Sequence, residues 1–204
     1  KERIFYNSDK NDIKKLNKDI KTDSNIFIGH KRLSIIDLSD RSIQPIYDER
    51  QNTIFCYNGE IYNFKSFGIS QYNYSDTLTL EYLIKSGKNE LFKKINGAWS
   101  FAFFNKKTNK ILLSRDRYGK KPLYYYINND TVIISSEIKP IFTVLNSESL
   151  DVDNFGLGHY LLTKQTPFLN NGKTFYKDIK SILPGKIFEL NLSDLNLKEI
   201  FSDS

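Results

Sequence analysis

Residues Cys56–Asn63 read Cys-Tyr-Asn-Gly-Glu-Ile-Tyr-Asn, and they continue a β-branched and apolar run that begins at Thr53. This run predicts a strand over residues 53–57. The Asn58-Gly59 pair that follows is the strongest short signal for a hairpin turn. Alternatively, the glycine lets the backbone approach a ligand closely, and the Asn58 amide and the Gly59 N–H aim two donors at one point, as in an oxyanion hole. Taken alone, the pair favours neither interpretation.

Further short strands separated by polar turns lie on both sides of this stretch. Apolar, β-branched and aromatic residues predict them at Asn25–Ile28, Leu33–Leu38, Trp99–Asn105, Lys110–Ser114, Pro122–Ile127 and Thr131–Ser135. A Pro184-Gly185 turn separates two extended pieces within Ile179–Leu190. Short polar connections between the runs indicate hairpins, and therefore an antiparallel sheet.

The apolar period changes to a helical one over Asp76–Lys85. Ser75 is suited to the N-cap of this helix, and Gly87 supplies a stop signal. Two more helices are predicted, over Glu137–Leu145 and from Asp151 toward Leu162. Because the strands and helices are grouped rather than regularly alternating, the pattern indicates an α+β domain.

The composition bounds the class of protein. A chain of 204 residues, 39% of them hydrophobic, is long enough for one domain and at most two, and one is expected. Its net charge of +6 is scattered along the chain, so we expect no nucleic-acid or membrane partner. One cysteine and two histidines provide neither an internal disulfide nor a structural zinc site. We therefore expect no metal and a reducing, cytoplasmic setting.

Five other features could carry chemistry, although each has an ordinary structural interpretation. Arg32 could present its planar donors to a carboxylate, but a surface arginine is the commoner case. Asp76 could bind a cation or cap its helix. His30 is expected to be a packed side chain, and Arg115–Tyr125 a structural turn and strand. Cys56 lies in an apolar strand, where a thiol is usually a small buried hydrophobe rather than a nucleophile.

Seven motifs follow one another along the chain. They are Gly-His-Lys-Arg-Leu-Ser-Ile-Ile-Asp-Leu from Gly29, Gln44-Pro45-Ile46, Tyr-Asn-Gly-Glu-Ile-Tyr-Asn-Phe from Tyr57, Ser75-Asp76-Thr77, Asn-Gly-Ala-Trp-Ser-Phe-Ala from Asn96, Arg-Asp-Arg-Tyr-Gly-Lys-Lys-Pro-Leu-Tyr-Tyr from Arg115, and Ser-Ser-Glu-Ile-Lys from Ser135. In this order they resemble the glutaminase domain of asparagine synthetases, which is a class II glutamine amidotransferase domain. The resemblance covers most of the chain, and it implies the N-terminal nucleophile (Ntn) fold, a four-layer αββα sandwich of two antiparallel sheets.

The resemblance also implies a glutamine site built from Arg32, Leu33, Ser34, Ile35, Ile36, Asn58, Gly59, Glu60 and Asp76. In it Arg32 binds the α-carboxylate, and the four residues that follow Arg32 line the pocket. Asn58 and Gly59 form the oxyanion hole, while Glu60 and Asp76 receive the α-ammonium group. These pairings agree with charge, because a guanidinium meets a carboxylate, two acids meet an ammonium group, and neutral donors meet the oxyanion.

Two departures from the family pattern concern the nucleophile and the pocket. The family uses a cysteine at the mature N-terminus, activated by its own α-amine, whereas residue 1 here is Lys1. Leu78 stands where glutamate usually follows Ser-Asp-Thr. We therefore expect residues 1–204 to form one class II glutamine amidotransferase domain without its N-terminal cysteine strand, either trimmed from a longer enzyme or degenerate.

The ATP-pyrophosphatase motif Ser-Gly-Gly-x-Asp-Ser does not occur in the sequence. We expect a synthetase domain after Ser204, with ATP and magnesium bound there and no cofactor in this domain. The leading hypothesis is a glutaminase domain that supplies ammonia for the amidation of aspartate. An amidotransferase acting on a sugar or another carboxylate, and a catalytically dead glutamine-binding module, stay open as alternatives. A homodimer is compatible with all three.

Overall fold

The computed structural model of the chain describes residues 26–30, 42–145, 150–164 and 171–203. Within these ranges there are nine strands: β1 Ile46–Asp48, β2 Thr53–Ile61, β3 Gly97–Asn105, β4 Lys110–Arg115, β5 Tyr124–Ile127, β6 Val132–Ser135, β7 Ile179–Ser181, β8 Lys186–Asn191 and β9 Asn196–Ser202. The three α-helices of the same ranges are α1 Asp76–Lys85, α2 Ile138–Leu145 and α3 Asn154–Thr163. Short 3₁₀ segments cover Phe64–Phe67, Ser70–Tyr72 and Asn89–Lys94.

The strands form two antiparallel sheets. The larger sheet has six strands in the order β1-β2-β3-β4-β8-β9, and the smaller has three in the order β6-β5-β7. The two longest strands, β2 and β3, pair over nine residues with Cys56 opposite Ala102. Strand β1 pairs only with residues 53–55 of β2. The rest of the outer edge of β2, opposite β3, has no partner strand within the described ranges.

Two hydrophobic cores lie between the layers and show the order in which the layers are stacked. Helix α1 packs on one face of the six-stranded sheet, where Leu80 and Leu83 meet Phe55 and Phe101. The second core lies between the two sheets and is centred on Leu113, Leu123 and Ile182. Helix α2 contacts β6 on the far side of the smaller sheet. The order helix, sheet, sheet, helix confirms the expected α+β, four-layer sandwich.

Helix α1 begins and ends where the sequence predicts. Ser75 has an extended backbone, and its Oγ accepts a hydrogen bond from the Leu78 N–H, as an N-cap should. At the other end, Gly87 adopts a positive φ of 67° and its N–H donates to the Ile84 carbonyl. The helix is thus fixed at the position that brings Asp76, its first residue, against β2.

The turn after β4 joins the two sheets. The Asp116 carboxylate, 1% exposed, accepts hydrogen bonds from the backbone N–H groups of Trp99, Tyr118, Lys120 and Lys121. The Arg115 guanidinium donates to the carbonyls of Lys121, Ile182 and Gly119 and to Ser181 Oγ. These contacts confirm that the charged stretch from Arg115 builds structure.

The structure also corrects the predicted strands. The strand expected at Asn25–Ile28 is wrong for its described part, because residues 26–28 belong to neither sheet. The backbone N–H and carbonyl of Tyr57 on the outer edge of β2 form hydrogen bonds with the side chains of Gln44 and His30 rather than with a neighbouring strand. The strand expected at Leu33–Leu38 lies outside the described residues. None of the helices in the described ranges is long and apolar enough to cross a lipid bilayer.

Candidate active site at the edge of strand β2

Asn58 and Gly59 lie inside strand β2, where they pair with Ser100 and Trp99 of β3, so the hairpin interpretation is wrong. Gly59 has φ of 145°, a conformation that side-chain-bearing residues rarely adopt. A Cβ at this position would lie 2.6 Å from the Cα of Trp99, which belongs to the neighbouring backbone. Glycine is therefore required here by the close approach of β2 to β3.

The backbone N–H of Gly59 points to the outer edge of β2, the edge opposite β3. The N–H groups two residues away on either side bond outside the ladder, that of Tyr57 to Gln44 Oε1 and that of Ile61 to Asp76 Oδ2 at 3.1 Å. Alternation along an antiparallel strand places the Gly59 N–H on the same edge. Its ladder neighbour Trp99 uses both of its backbone groups on Asp116. No partner for the Gly59 N–H occurs among the described residues.

The side-chain amide of Asn58 is also available as a donor. Asn58 is exposed, and its amide makes no hydrogen bond to any residue in the described ranges. It adjoins the Gly59 N–H in sequence. Neither of the two neutral donors that the sequence singled out has a partner among the described residues, so both are candidates for binding a ligand.

Asp76 contributes a buried negative charge beside this edge. Its carboxylate is 3% exposed and accepts hydrogen bonds from the Tyr57 hydroxyl at 2.8 Å, the Ile61 N–H and the Thr77 N–H at 2.9 Å. All three donors are neutral, and no cation from the described part of the chain forms an ion pair with Asp76. The N-terminus of α1 offsets part of the charge. A buried carboxylate without a cation is costly, so a cationic ligand would be favoured here.

A second carboxylate, that of Glu60, follows Gly59 on β2. Glu60 is half-buried and has no ion-pair partner among the residues that the structure describes. Burial, followed by the charges of Asp76 and Glu60, raises the pKa of Tyr57 well above its ordinary value. Both carboxylates therefore raise the pKa of the same hydroxyl. Two negative charges that act on one group give this part of β2 a local negative potential suited to an ammonium group.

Described residues on either side of 31–41 contact the same region. The His30 ring forms a hydrogen bond with the Tyr57 carbonyl at 3.1 Å, in agreement with the expectation of a packed histidine. The hydroxyls of Ser42 and Ser75 are hydrogen-bonded at 2.8 Å, next to Asp76. The expected site residues Arg32, Leu33, Ser34, Ile35 and Ile36 lie outside the described residues.

Cys56 is half-buried in β2, two residues before Asn58. Burial raises the pKa of its thiol from 9.0 to about 12. Because the thiolate is the reactive form, burial disfavours this cysteine as a nucleophile, in agreement with the expectation from the sequence. Within the described ranges, no group of three or more histidine, cysteine, aspartate or glutamate side chains could hold a metal ion.

Sequence reasoning gave no role to two residues that build the site. Tyr57 holds Asp76 through its hydroxyl, and Gln44 bonds the Tyr57 N–H. Both stand in the quoted motifs, but the contact between Tyr57 and Asp76, 19 positions apart, depends on how α1 packs on β2. The contact between Gln44 and Tyr57, 13 positions apart, depends on how the segment before β1 lies along β2. The only available signal was the position of Tyr57 immediately before Asn-Gly.

A separate cavity of about 190 Å³ lies between β3, β9 and the 3₁₀ segment Asn89–Lys94. Its lining includes Lys93, Arg117 and Phe201 but none of the expected site residues. Arg117 is already paired with Asp203 at 2.7 Å. The cavity therefore offers a location distinct from the β2 edge against which the site can be tested.

Comparisons with known proteins identify the family of the chain. Residues 16–201 match the sequence profile of the family described as "Glutamine amidotransferase domain". The chain is 34% identical over 221 residues to the putative asparagine synthetase [glutamine-hydrolyzing] 2 of Methanocaldococcus jannaschii, covering 91% of the chain and 42% of that protein. It is 30% identical over 187 residues to asparagine synthetase [glutamine-hydrolyzing] 1 of Bacillus subtilis, covering 88% of the chain and 29% of that protein. The chain thus spans less than half the length of these relatives.

Among solved structures, the chain is similar to glutamine phosphoribosylpyrophosphate amidotransferase from B. subtilis, complexed with ADP and GMP. The TM-score is 0.55 at 18% sequence identity, over 86% of this chain and 34% of that one. At this identity the likeness shows the fold. It supports the sandwich of two antiparallel sheets expected from the sequence.

Proposed function

The chain belongs to the glutamine amidotransferase domain family, and from this membership we propose that it is the glutaminase domain of a glutamine-dependent asparagine synthetase. In that role it supplies ammonia from glutamine for the ATP-dependent amidation of aspartate. The observation that carries the proposal is the buried carboxylate of Asp76, which lies against β2 at Tyr57 and Ile61 and has no cationic partner among the described residues. The names of the two relatives support aspartate, rather than a sugar or another carboxylate, as the acceptor.

The charges of the proposed site suit each end of glutamine. Its α-ammonium group meets Asp76 and Glu60, and its α-carboxylate meets Arg32. Support for Arg32 comes from His30, which lies two residues before it and contacts Tyr57. Two residues of chain reach at most about 7 Å, a distance compatible with a site next to Tyr57. The zwitterion would thus be held at both charges.

The side-chain carboxamide of glutamine would then lie at Asn58 and Gly59. In an enzyme that carries the N-terminal cysteine of the family, the thiol of that cysteine adds to the carboxamide carbon, and its α-amine accepts the thiol proton. Asn58 and Gly59 donate to the oxyanion of the tetrahedral intermediate. The C–N bond breaks as the nitrogen takes the proton and leaves as ammonia. Water then hydrolyses the thioester to glutamate, and a synthetase domain with ATP and magnesium uses the ammonia.

The 204-residue chain is expected to bind glutamine weakly and to release no ammonia above background. Its sole thiol is Cys56, whose raised pKa leaves almost no thiolate at neutral pH. Ammonia release with excess glutamine measures the second expectation. Turnover that persists after Cys56 has been alkylated would show that a nucleophile other than cysteine operates.

Calorimetry tests recognition directly. Glutamine should bind more weakly to Arg32→Ala and Glu60→Gln, each by roughly tenfold, because each loses one charged contact with the ligand. Glu137→Gln, a change at an exposed acid far from β2, is the matched control and should bind as the unchanged chain does. Equal heats for all four proteins would remove Arg32 and Glu60 from the site.

A further inference from the structure

Tyr57 occupies an unusual position next to the site. Its side chain is 3% exposed, and its hydroxyl donates to Asp76 Oδ2 at 2.8 Å across the boundary between β2 and α1. The two backbone groups of the same residue are also engaged, the N–H by Gln44 and the carbonyl by His30. Its ring stacks on that of Phe55, with centroids 6.2 Å apart and planes 11° from parallel. The hydroxyl is therefore held at a fixed point.

We propose that Tyr57 is a positioning residue for the α-ammonium group of glutamine, and that it acts by fixing the orientation of the Asp76 carboxylate. This inference rests on the proposed function, since it concerns how the same site recognises its substrate. Tyr57 makes no contact with glutamine in this account. Its effect passes through Asp76, which accepts the ammonium group.

The chemistry of the donor explains the choice of tyrosine. A hydroxyl donates one hydrogen bond without neutralising the carboxylate, so the full negative charge stays available to the ligand. A lysine or arginine at this position would form an ion pair with Asp76 and compete with the ammonium group. Burial and the two nearby acids raise the pKa of Tyr57, which keeps the hydroxyl protonated wherever glutamine is a zwitterion. The donor is thus permanent and neutral.

Without the hydroxyl, Asp76 Oδ2 would keep one hydrogen bond, that from the Ile61 N–H at 3.1 Å. Oδ1 would keep the Thr77 N–H, which belongs to the carboxylate's own helix. The carboxylate would lose its single side-chain anchor on β2. We expect the affinity for ligands with an α-ammonium group to fall, and the affinity for ligands without one to stay unchanged.

The test compares two ligands and three proteins by calorimetry. The ligands are L-glutamine and 5-amino-5-oxopentanoate, which keeps the carboxylate and carboxamide but lacks the α-amino group. Tyr57→Phe should bind glutamine about 10- to 150-fold more weakly, the range for a lost hydrogen bond to a charged group, and bind the analogue within twofold of the unchanged chain. Tyr125→Phe, at a half-buried tyrosine of the smaller sheet whose hydroxyl has no partner among the described residues, should change neither affinity.

Equal weakening of both ligands by Tyr57→Phe would show a structural role and overturn the inference, as would no change for either. A double-variant cycle supplies a second readout. Because Tyr57 acts through Asp76, adding Tyr57→Phe to Asp76→Asn should weaken glutamine binding no further, whereas additive losses would contradict the proposal. If the unchanged chain bound the analogue as well as it bound glutamine, or bound neither, the proposed function itself would fail. Thermal melting confirms that each variant is folded.

Discussion

Replacing Asn58 with alanine is expected to lower glutamine-dependent synthesis roughly 10²- to 10³-fold in an enzyme that joins this domain to an N-terminal cysteine and a synthetase domain. The exposed Asn58 amide has no partner among the described residues, so its removal costs the fold little. It is proposed to bind the oxyanion more strongly than the ground-state carbonyl. The loss should therefore fall on turnover, with a smaller change in glutamine binding.

Ammonia-dependent synthesis should continue in the Asn58→Ala enzyme, because free ammonia bypasses the glutaminase site. Steady-state rates with glutamine and with ammonium salts give the two activities. Asn73→Ala, at an exposed asparagine outside β2, is the matched control and should leave both rates unchanged. If Asn58→Ala abolished both reactions equally in a folded protein, the oxyanion-hole role of Asn58 would be untenable.

Gly59→Ala is expected to lower the free energy of unfolding by roughly 2 to 5 kcal/mol, a large share of a domain's total stability. Two effects add at this position. Alanine is strained at φ of 145°, and its Cβ would press on the backbone of Trp99 at 2.6 Å. Since the Cβ would meet backbone rather than the end of a flexible side chain, β2 and β3 would have to separate. Chemical denaturation of the 204-residue chain measures the change.

Gly87→Ala separates the two effects. Gly87 also has a positive φ, 67°, but a Cβ there would meet nothing within 4 Å. Gly87→Ala should lower the free energy of unfolding by about 1 to 2 kcal/mol, from backbone strain alone. Equal losses for the two variants would mean that the close approach of β2 to β3 is not what requires glycine at position 59.

Local sequence signals predicted those parts of the fold that local physics determines. Helix α1 was predicted at Asp76–Lys85 because its cap, its apolar period and its stop at Gly87 all lie within the segment. β9, Asn196–Ser202, was not predicted, because it is an edge strand with mostly exposed side chains and its order comes from pairing with β8. The Asn25–Ile28 prediction failed because an apolar run specifies no partner strand, and residues 26–28 pair with none of the described strands. The layer order came from the family resemblance rather than from composition.

The candidate site was predictable in its residue types but not in its construction. The resemblance named Asn58, Gly59, Glu60 and Asp76; the first three lie consecutively on β2, and Asp76 contacts the same strand at Tyr57 and Ile61. The resemblance could not show that a Cβ at Gly59 would meet the backbone of Trp99, because that contact arises from the pairing of β2 with β3. Nor could it show the hydrogen bond from Tyr57 to Asp76, which forms only when α1 packs on β2.

We propose that glutamine binds at the outer edge of β2, the edge opposite β3. Titration of the ¹⁵N-labelled 204-residue chain with glutamine, followed in ¹H–¹⁵N correlation spectra, locates the ligand most directly. The account predicts that the largest shifts occur at the Gly59 backbone amide and the Asn58 side-chain amide, with smaller ones at Thr77 in the first turn of α1. Shifts confined to residues around the separate cavity, such as Lys93 and Arg117, would contradict it, as would the absence of any shift at saturating glutamine.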